Sequence, residues 1–412
     1  MSQKRPELLI PASSLEVLKT AVMFGADAVY IGGEAFGLRA KAKNFSMEDM
    51  KEGVQFAHEH GARVHVTVNI LAHNDDLEGA AEYLKELKEI GPDALIIADP
   101  AIFMLAKEIC PEIERHVSTQ ANNTNYGTFN FWWNLGAKRV VTARELSLKE
   151  IREIRAHIPA EMEIESFIHG AMCISYSGRC LLSNFFTGRD ANQGACTHPC
   201  RWKYSVVEET RPGEYMPVYE NERGTYIFNS KDLCMIEHIP EMIDAGIDSF
   251  KIEGRMKTAL YVATVARTYR KAIDDYLEDP KKYEANMPWY RDQISNCTYR
   301  QFTTGFYFGK PGDESQIYDS NTYIKEYTYL GIIGGIKDGM YRIEQRNKFS
   351  VGETVEIMKP DGQNVEVTVE KIIDEDGQEQ ESAPHPKQVL YVALSGEASV
   401  YDILRRQEDV TE

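Results

Sequence analysis

The sequence has no apolar run approaching the roughly 18 residues of a membrane-spanning helix, and its N-terminus, MSQKRPELLIPA, has a short basic patch but no apolar core of a secretion signal. The first absence excludes a helical membrane span, and together they set the expectation of a cytoplasmic chain. Positive charge is scarce: 46 Lys and Arg stand against 64 Asp and Glu, a formal net charge of −18. A surface built as a whole to attract nucleic acid is excluded, so a polyanionic partner needs a local basic island. HExxH and GxSxG are absent, which removes the common sequence marks of a zinc peptidase and of a serine hydrolase. There are seven cysteines, an odd number, and no CxxC pair. In a reducing compartment this excludes a disulfide framework and points to metal binding or catalysis, but not to paired zinc knuckles.

What the sequence does contain, from residue 7 to about 275, is an alternation of short β-rich runs and helical patterns. ELLIPA precedes LEVLKTAVMFG, DAVYIGG precedes MEDMKEGVQFAHEHG, and RVHVTVNI precedes LEGAAEYLKELKEIG. DALIIAD, ERHVSTQ, KRVVTARE, EIESFIHG and DSFKIEGRM continue the series to eight units, with glycine at several helix ends. Eight strand-then-helix units predict a closed (β/α)8 TIM-like barrel, with an open doubly wound sheet as the competing arrangement. After Tyr290 the pattern changes to short alternating strands separated by DG and GE turns. The predicted organisation is a barrel over 1–290, a linker over 291–324 and a small all-β, barrel-like domain over 325–412. EDGQEQESAPHP within that domain reads as a solvated loop.

Unit seven is abnormal, because roughly sixty residues, 171–233, intervene before its helix, CMIEHIPEMIDAG. Cys234 is expected to open that helix, and KYSVVEET with GTYIFNS reads as a hairpin. Loops this long are usually functional, and loops after barrel strands build active sites. The insertion holds Cys173, Cys180, Cys196 and Cys200, with Cys234 just beyond. Soft thiolates select zinc or an iron-sulfur cluster, and the irregular spacing favours a cluster, which needs four of them. The same stretch is the basic island: Arg179, Arg189, Arg201 and Lys203 face only Asp190, with Phe185, Phe186, Trp202 and Tyr204 interleaved. Guanidinium groups suit phosphate or carboxylate and rings suit unstacked bases, so a single-stranded RNA loop and a small dianion both fit.

Strand parity gives a second pointer. His65, Thr67 and Asn69 alternate with valines; Ser118 and Gln120 share a face, as do Thr142 and Arg144, Glu163 and Glu165, and Lys251 and Glu253. A polar face pointing into a barrel is costly unless its ions are paired or used, so these residues are candidates for an anionic-substrate site. Glu165 and Glu253 are candidate catalytic carboxylates. Arg144, Arg179, Lys251 and Arg255 are candidate clamps, with Asn69 and Gln120 as further substrate-binding positions. His169 with Cys173 offers the one nucleophile-and-base pair for a peptidase alternative.

ESFIHGAMCISYSGRCLLS, RDANQGACTHPCRWKY and KIEGRMK, with ELLIPA, GADAVYIG, LRAKAKNFS, STQANNTN and ARELSLKEI in order, resemble the collagenase-like peptidase family, peptidase family U-thirty-two. The resemblance spans nearly the whole barrel, and the C-terminal module is similar to one appended in some members. Despite the family's name, it implies hydroxylation without oxygen. Branches are associated with prephenate-dependent 5-hydroxylation of the tRNA wobble uridine, with a cytidine of 23S ribosomal RNA, and with ubiquinone precursors. Length and the C-terminal module fit the tRNA branch. The expected cofactor is a 4Fe-4S cluster, with prephenate, a small dicarboxylate, as co-substrate, tRNA as partner, and room for a partner subunit. By correspondence with the quinone branch, Cys173, Cys180, Cys196 and Cys234 are the cluster ligands, and Cys200 is an extra thiol.

Overall fold

The computed structural model describes residues 4–34, 36, 44–172, 176–177, 179–189, 196–197, 199, 205–207, 215–217, 231–297, 301–311 and 327–408. Eight strands form the barrel: β1 Glu7–Pro11, β2 Ala28–Gly32, β3 Arg63–Val68, β4 Ala94–Ile97, β5 Glu114–Val117, β6 Arg139–Val141, β7 Glu163–Ala171 and β8 Ser249–Ile252. Each pairs in parallel with the next, and β8 pairs with both β7 and β1, which closes the cylinder. Parallel strands covered on both faces read as continuous apolar runs, which is why AVYIG and ALII are wholly buried.

Between the strands run α1 Leu15–Met23, α2 Met47–Glu59, α3 Asp76–Ile90, α4 Pro100–Ile109, α5 Tyr126–Leu135, α6 Leu148–Ala156, α7 Ile239–Asp244 and α8 Ala259–Glu278. Their starts are written locally. Ser147 and Glu150 form a reciprocal capping box at α6, and Asp99 accepts from two backbone amides ahead of Pro100 at α4. The open-sheet alternative is thereby settled in favour of the barrel.

Two features shape the rim. β7 runs on well past its pairing with β6, which ends at Glu165, and its last three residues pair antiparallel with a short strand, Asp232–Cys234, which in turn pairs with Phe302–Thr303. Cys234 therefore ends a strand; the expected helix starts only at Ile239. Gly170, at φ +107°, lies where the end of β8 crosses β7, and an added Cβ would stand 2.4 Å from the carbonyl oxygen of Glu253. Only glycine fits that crossing.

Ser205–Val207 pairs antiparallel with Tyr215–Pro217; GTYIFNS, the expected second hairpin strand, falls outside the described residues. The stretch expected as a linker is, in its described parts, barrel wall. Met287–Ser295 is a helix, and the Tyr307 hydroxyl donates to the carbonyl of Phe167. The C-terminal domain is an antiparallel sheet of seven strands beginning at Tyr327, with Asp338 and Gly339 both at positive φ in its first hairpin turn. Glu379–Gln380 and Ser382–Ala383 form short strands inside the expected solvated loop. Arg346 pairs with Glu16 of α1, and Arg267 of α8 donates to Asn364, so the domain packs on the barrel's flank.

Candidate active site

The barrel interior is built in layers by every second residue of each strand. At the bottom, Arg139 is almost fully buried and donates to Glu7, Glu163 and Glu165, tying β6 to β1 and β7. Its guanidinium is pushed above its ordinary value: burial works against the charge, but Glu7 and Glu165 outweigh it. Leu9, Ala28, Tyr30 and Ile96 fill an apolar patch in the same interior. Above it, Lys251 Nζ lies 2.7 Å from Glu165 Oε1 and 4.5 Å from the centre of the Tyr30 ring. Glu165 is fully buried; desolvation would raise its carboxyl, but Lys251 and Arg139 hold it below the usual carboxylate range. Glu165 is thus an acceptor already engaged by two cations.

At the mouth the strand ends converge. Arg144, beyond β6, stacks 3.9 Å over the Phe167 ring and reaches Glu253 beyond β8 at 3.3 Å. Arg255 donates to Thr67 Oγ1 at 3.0 Å and to Asn44 Oδ1 at 3.3 Å. It lies so close to β2 that a Cβ on Gly32 would be 2.2 Å from its Nη2. Asn69, Ser118 and Gln120 form a hydrogen-bonded chain across the ends of β3 and β5. Asn69, Gln120, Arg144, Lys251, Glu253 and Arg255 therefore meet at the C-terminal face, with Glu165 beneath them. Such a ring, three cations and two neutral amides with one carboxylate, Glu253, holding Arg144, can bind and orient a small dianion.

Two expectations change, and two interior residues are added. His169 is buried on the outer side of the wall, its Nδ1 3.3 Å from the Tyr269 hydroxyl and its ring against Phe302. Burial lowers it to about 3, so it is a neutral residue packed into the wall, apart from the ring of side chains at the mouth. Thr142 turns away from the lumen to meet Ser166 at 2.9 Å. Arg139 and His116, both interior, were not among the candidates; each is a polar residue on the inward parity of its strand, and at His116 that period-two signal could have found it.

Of the thiols, Cys173 and Cys200 lie outside the described residues. Cys180 and Cys196 are half-buried and are not disulfide-bonded. The short helix Leu182–Thr187 joins their segments, because the Thr197 amide donates to Ser183 Oγ at 3.0 Å. Cys234 faces a rim cavity of about 630 Å³ lined also by Lys231, His238, Phe302, Phe308 and Lys310, its sulfur 3.6 Å from the Tyr269 hydroxyl. Burial raises this thiol to about 11, so it is a neutral thiol unless a metal takes its proton. Thiols of this kind are the soft donors that iron-sulfur clusters take, and Cys180, Cys196 and Cys234 are the ones among the described residues of this region. The insertion presents Tyr176, Arg179, Leu181, Phe186 and Arg189 to solvent, a cationic and aromatic surface.

Residues 13–317 match the profile of Peptidase family U32, and residues 325–405 match the Peptidase family U32 C-terminal domain. The chain belongs to peptidase family U32. Within this family it is 43% identical to the tRNA hydroxylation protein P1 of Bacillus subtilis, over 98% of this chain and 95% of that one. It is 39% identical to the tRNA hydroxylation protein P of Escherichia coli, over 92% of each. It is also 40% identical to the Escherichia coli 23S rRNA 5-hydroxycytidine C2501 synthase, over 68% of this chain and 41% of that protein. The match to both family domains agrees with the resemblance carried by the sequence motifs. Among the described residues no helix is long and apolar enough to cross a membrane.

Proposed function

We propose that this U32 member hydroxylates RNA, that its substrate is tRNA, and that the product is the 5-hydroxy form of the wobble uridine. The similarity to the tRNA hydroxylation protein P1 along almost the whole of both chains carries the reading. In this proposal Arg144, Lys251 and Arg255 clamp the carboxylates of prephenate at the barrel mouth, and Asn69 and Gln120 orient it. Glu253 holds Arg144 in place, and buried Glu165 fixes the Lys251 ammonium. The exposed Arg179 and Arg189, with Tyr176 and Phe186, grip the tRNA backbone and an unstacked base. The acidic remainder of the surface keeps nonspecific RNA away.

Cys173, Cys180, Cys196 and Cys234 would hold a 4Fe-4S cluster, which when bound supplies one-electron chemistry without oxygen. The peptidase reading has less support. Among the described residues of the mouth no serine or cysteine is hydrogen-bonded to a histidine, and His169 faces the helices. The test is mass spectrometry of nucleosides from the tRNA of a deletion strain. Loss of 5-hydroxyuridine derivatives supports the proposal, and an unchanged profile refutes it.

A further inference from the structure

Beneath the mouth, three strands point donor groups at one another. His65 of β3, His116 of β5 and Glu165 of β7 are each 0% exposed, and one ligand-type atom from each lies within 4.8 Å of the other two. The two imidazoles meet edge to face, their centres 4.8 Å apart. The surrounding layer is saturated: Arg139, Glu7, Glu163, Lys251 and Ser249 all find partners. The imidazoles do not. Both ring nitrogens of His65 and Nδ1 of His116 are buried with no hydrogen-bond partner. Each such orphan costs about 1–3 kcal/mol, and three of them at one point need an explanation.

The tautomer of His116 supplies it. Nε2 lies 3.0 Å from Glu114 Oε2, and the carboxylate can only accept, so Nε2 carries the proton and the orphaned Nδ1 is a bare lone pair. A carboxylate on one imidazole nitrogen and an unprotonated second nitrogen turned to a common centre is how metal-binding histidines are oriented. Glu165 accepts from Lys251 on Oε1 and from Arg139 and Ser249 on Oε2, which leaves a lone pair of its roughly four for a further bond.

We infer that His65, His116 and Glu165 form a site for a divalent first-row transition ion, zinc above others, inside the barrel. Two imidazoles and a carboxylate suit zinc or iron(II); magnesium and calcium prefer oxygen alone. The ion clamps β3, β5 and β7 below the mouth and fixes Glu165, on which Lys251 rests. The inference uses no thiol and does not depend on the RNA reading.

The test is elemental analysis of the whole protein, purified without air and dialysed against EDTA. The expected result is about one equivalent of zinc or another divalent ion beyond the iron matched by acid-labile sulfide. His116→Ala and His65→Ala should each lower that equivalent at least tenfold, while Cys196→Ser should leave it in place. X-ray absorption at the edge of the retained metal in the wild-type protein should show nitrogen and oxygen neighbours at about 2.0–2.2 Å with imidazole scattering. This second measurement decides the matter if the histidine variants fail to fold. A wild-type protein that holds no such ion after expression in zinc-supplemented medium, an extra equivalent indifferent to both histidines, or a sulfur-dominated spectrum would each overturn the inference.

Discussion

Arg139 is the most heavily used side chain of the barrel interior, and Arg139→Met tests whether the polar layer is held by charge or by shape. The substitution keeps an apolar stem but withdraws the guanidinium from Glu7, Glu163 and Glu165 at once. Glu163 keeps Lys4 and Lys138 at 3.8 Å near the surface, and Glu165 keeps Lys251. Glu7 suffers most, since it keeps one cation, Arg63 at 3.8 Å, and the Ser249 hydroxyl, where Glu163 keeps two cations nearer the surface and Glu165 keeps Lys251 at 2.7 Å. Breaking a buried pair from one side costs about 3–5 kcal/mol. At roughly 2 °C per kcal/mol for a domain of this size, thermal unfolding should fall by about 6–10 °C at pH 7. The pH dependence has a definite sign. Burial alone would raise the Glu7 carboxyl, but Arg139 holds it far below its ordinary value of 4.5. In the wild type its contribution is therefore full above about pH 4.5 and is lost as pH falls further. In the variant desolvation wins, the carboxyl takes up a proton above that pH, and the deficit shrinks between pH 7 and pH 5. Circular-dichroism melts of both proteins at the two pH values measure this. A difference under about 1 kcal/mol at pH 7, or one that does not shrink on acidification, refutes the reasoning.

Gly170→Ala should destabilise the protein by roughly 1–3 kcal/mol or more, because a Cβ must push the Glu253 carbonyl away at a left-handed position; urea midpoints check it, and a wild-type midpoint argues against the close crossing. Cys196→Ser should lower iron and acid-labile sulfide together in protein purified without air, and an unchanged iron content would remove Cys196 from the proposed ligands. Arg144→Ala should slow tRNA hydroxylation roughly 10- to 100-fold, the worth of one charge-assisted contact of about 1.5–3 kcal/mol, with little loss of melting temperature because its partner Glu253 retains access to water. A rate within twofold of wild type would mean the dicarboxylate binds elsewhere.

The barrel was legible because its strands are buried on both faces and its helices carry capping signals, so AVYIG, ALII and the Ser147–Glu150 pair each announce their element. The inward polar residues were legible wherever period two held, as at His65, Thr67 and Lys251. Period two fails at His169, since counting from Glu165 would place the ring in the lumen. A register shift between Lys251 and Ile252 sets Ile252 opposite His169, and the ring turns to Tyr269. Asp232–Cys234 was hidden for a different reason. Three residues carry no periodicity, and the strand exists because β7 outruns β6 and leaves backbone groups to be paired. Arg139 was overlooked because the polar face of KRVVTARE was given to Thr142 and Arg144, which puts Arg139 on the opposite parity, although a cation at the strand's first position faces Glu163 across the ladder.

The account stands most directly on the nucleosides of tRNA from deletion cells that carry either the wild-type chain or the Arg144→Ala chain, each grown with and without oxygen. The account predicts that wild-type cells restore 5-hydroxyuridine derivatives equally in both atmospheres and that Arg144→Ala cells restore little in either. Restoration only in oxygen, or none by the wild-type chain, would contradict it.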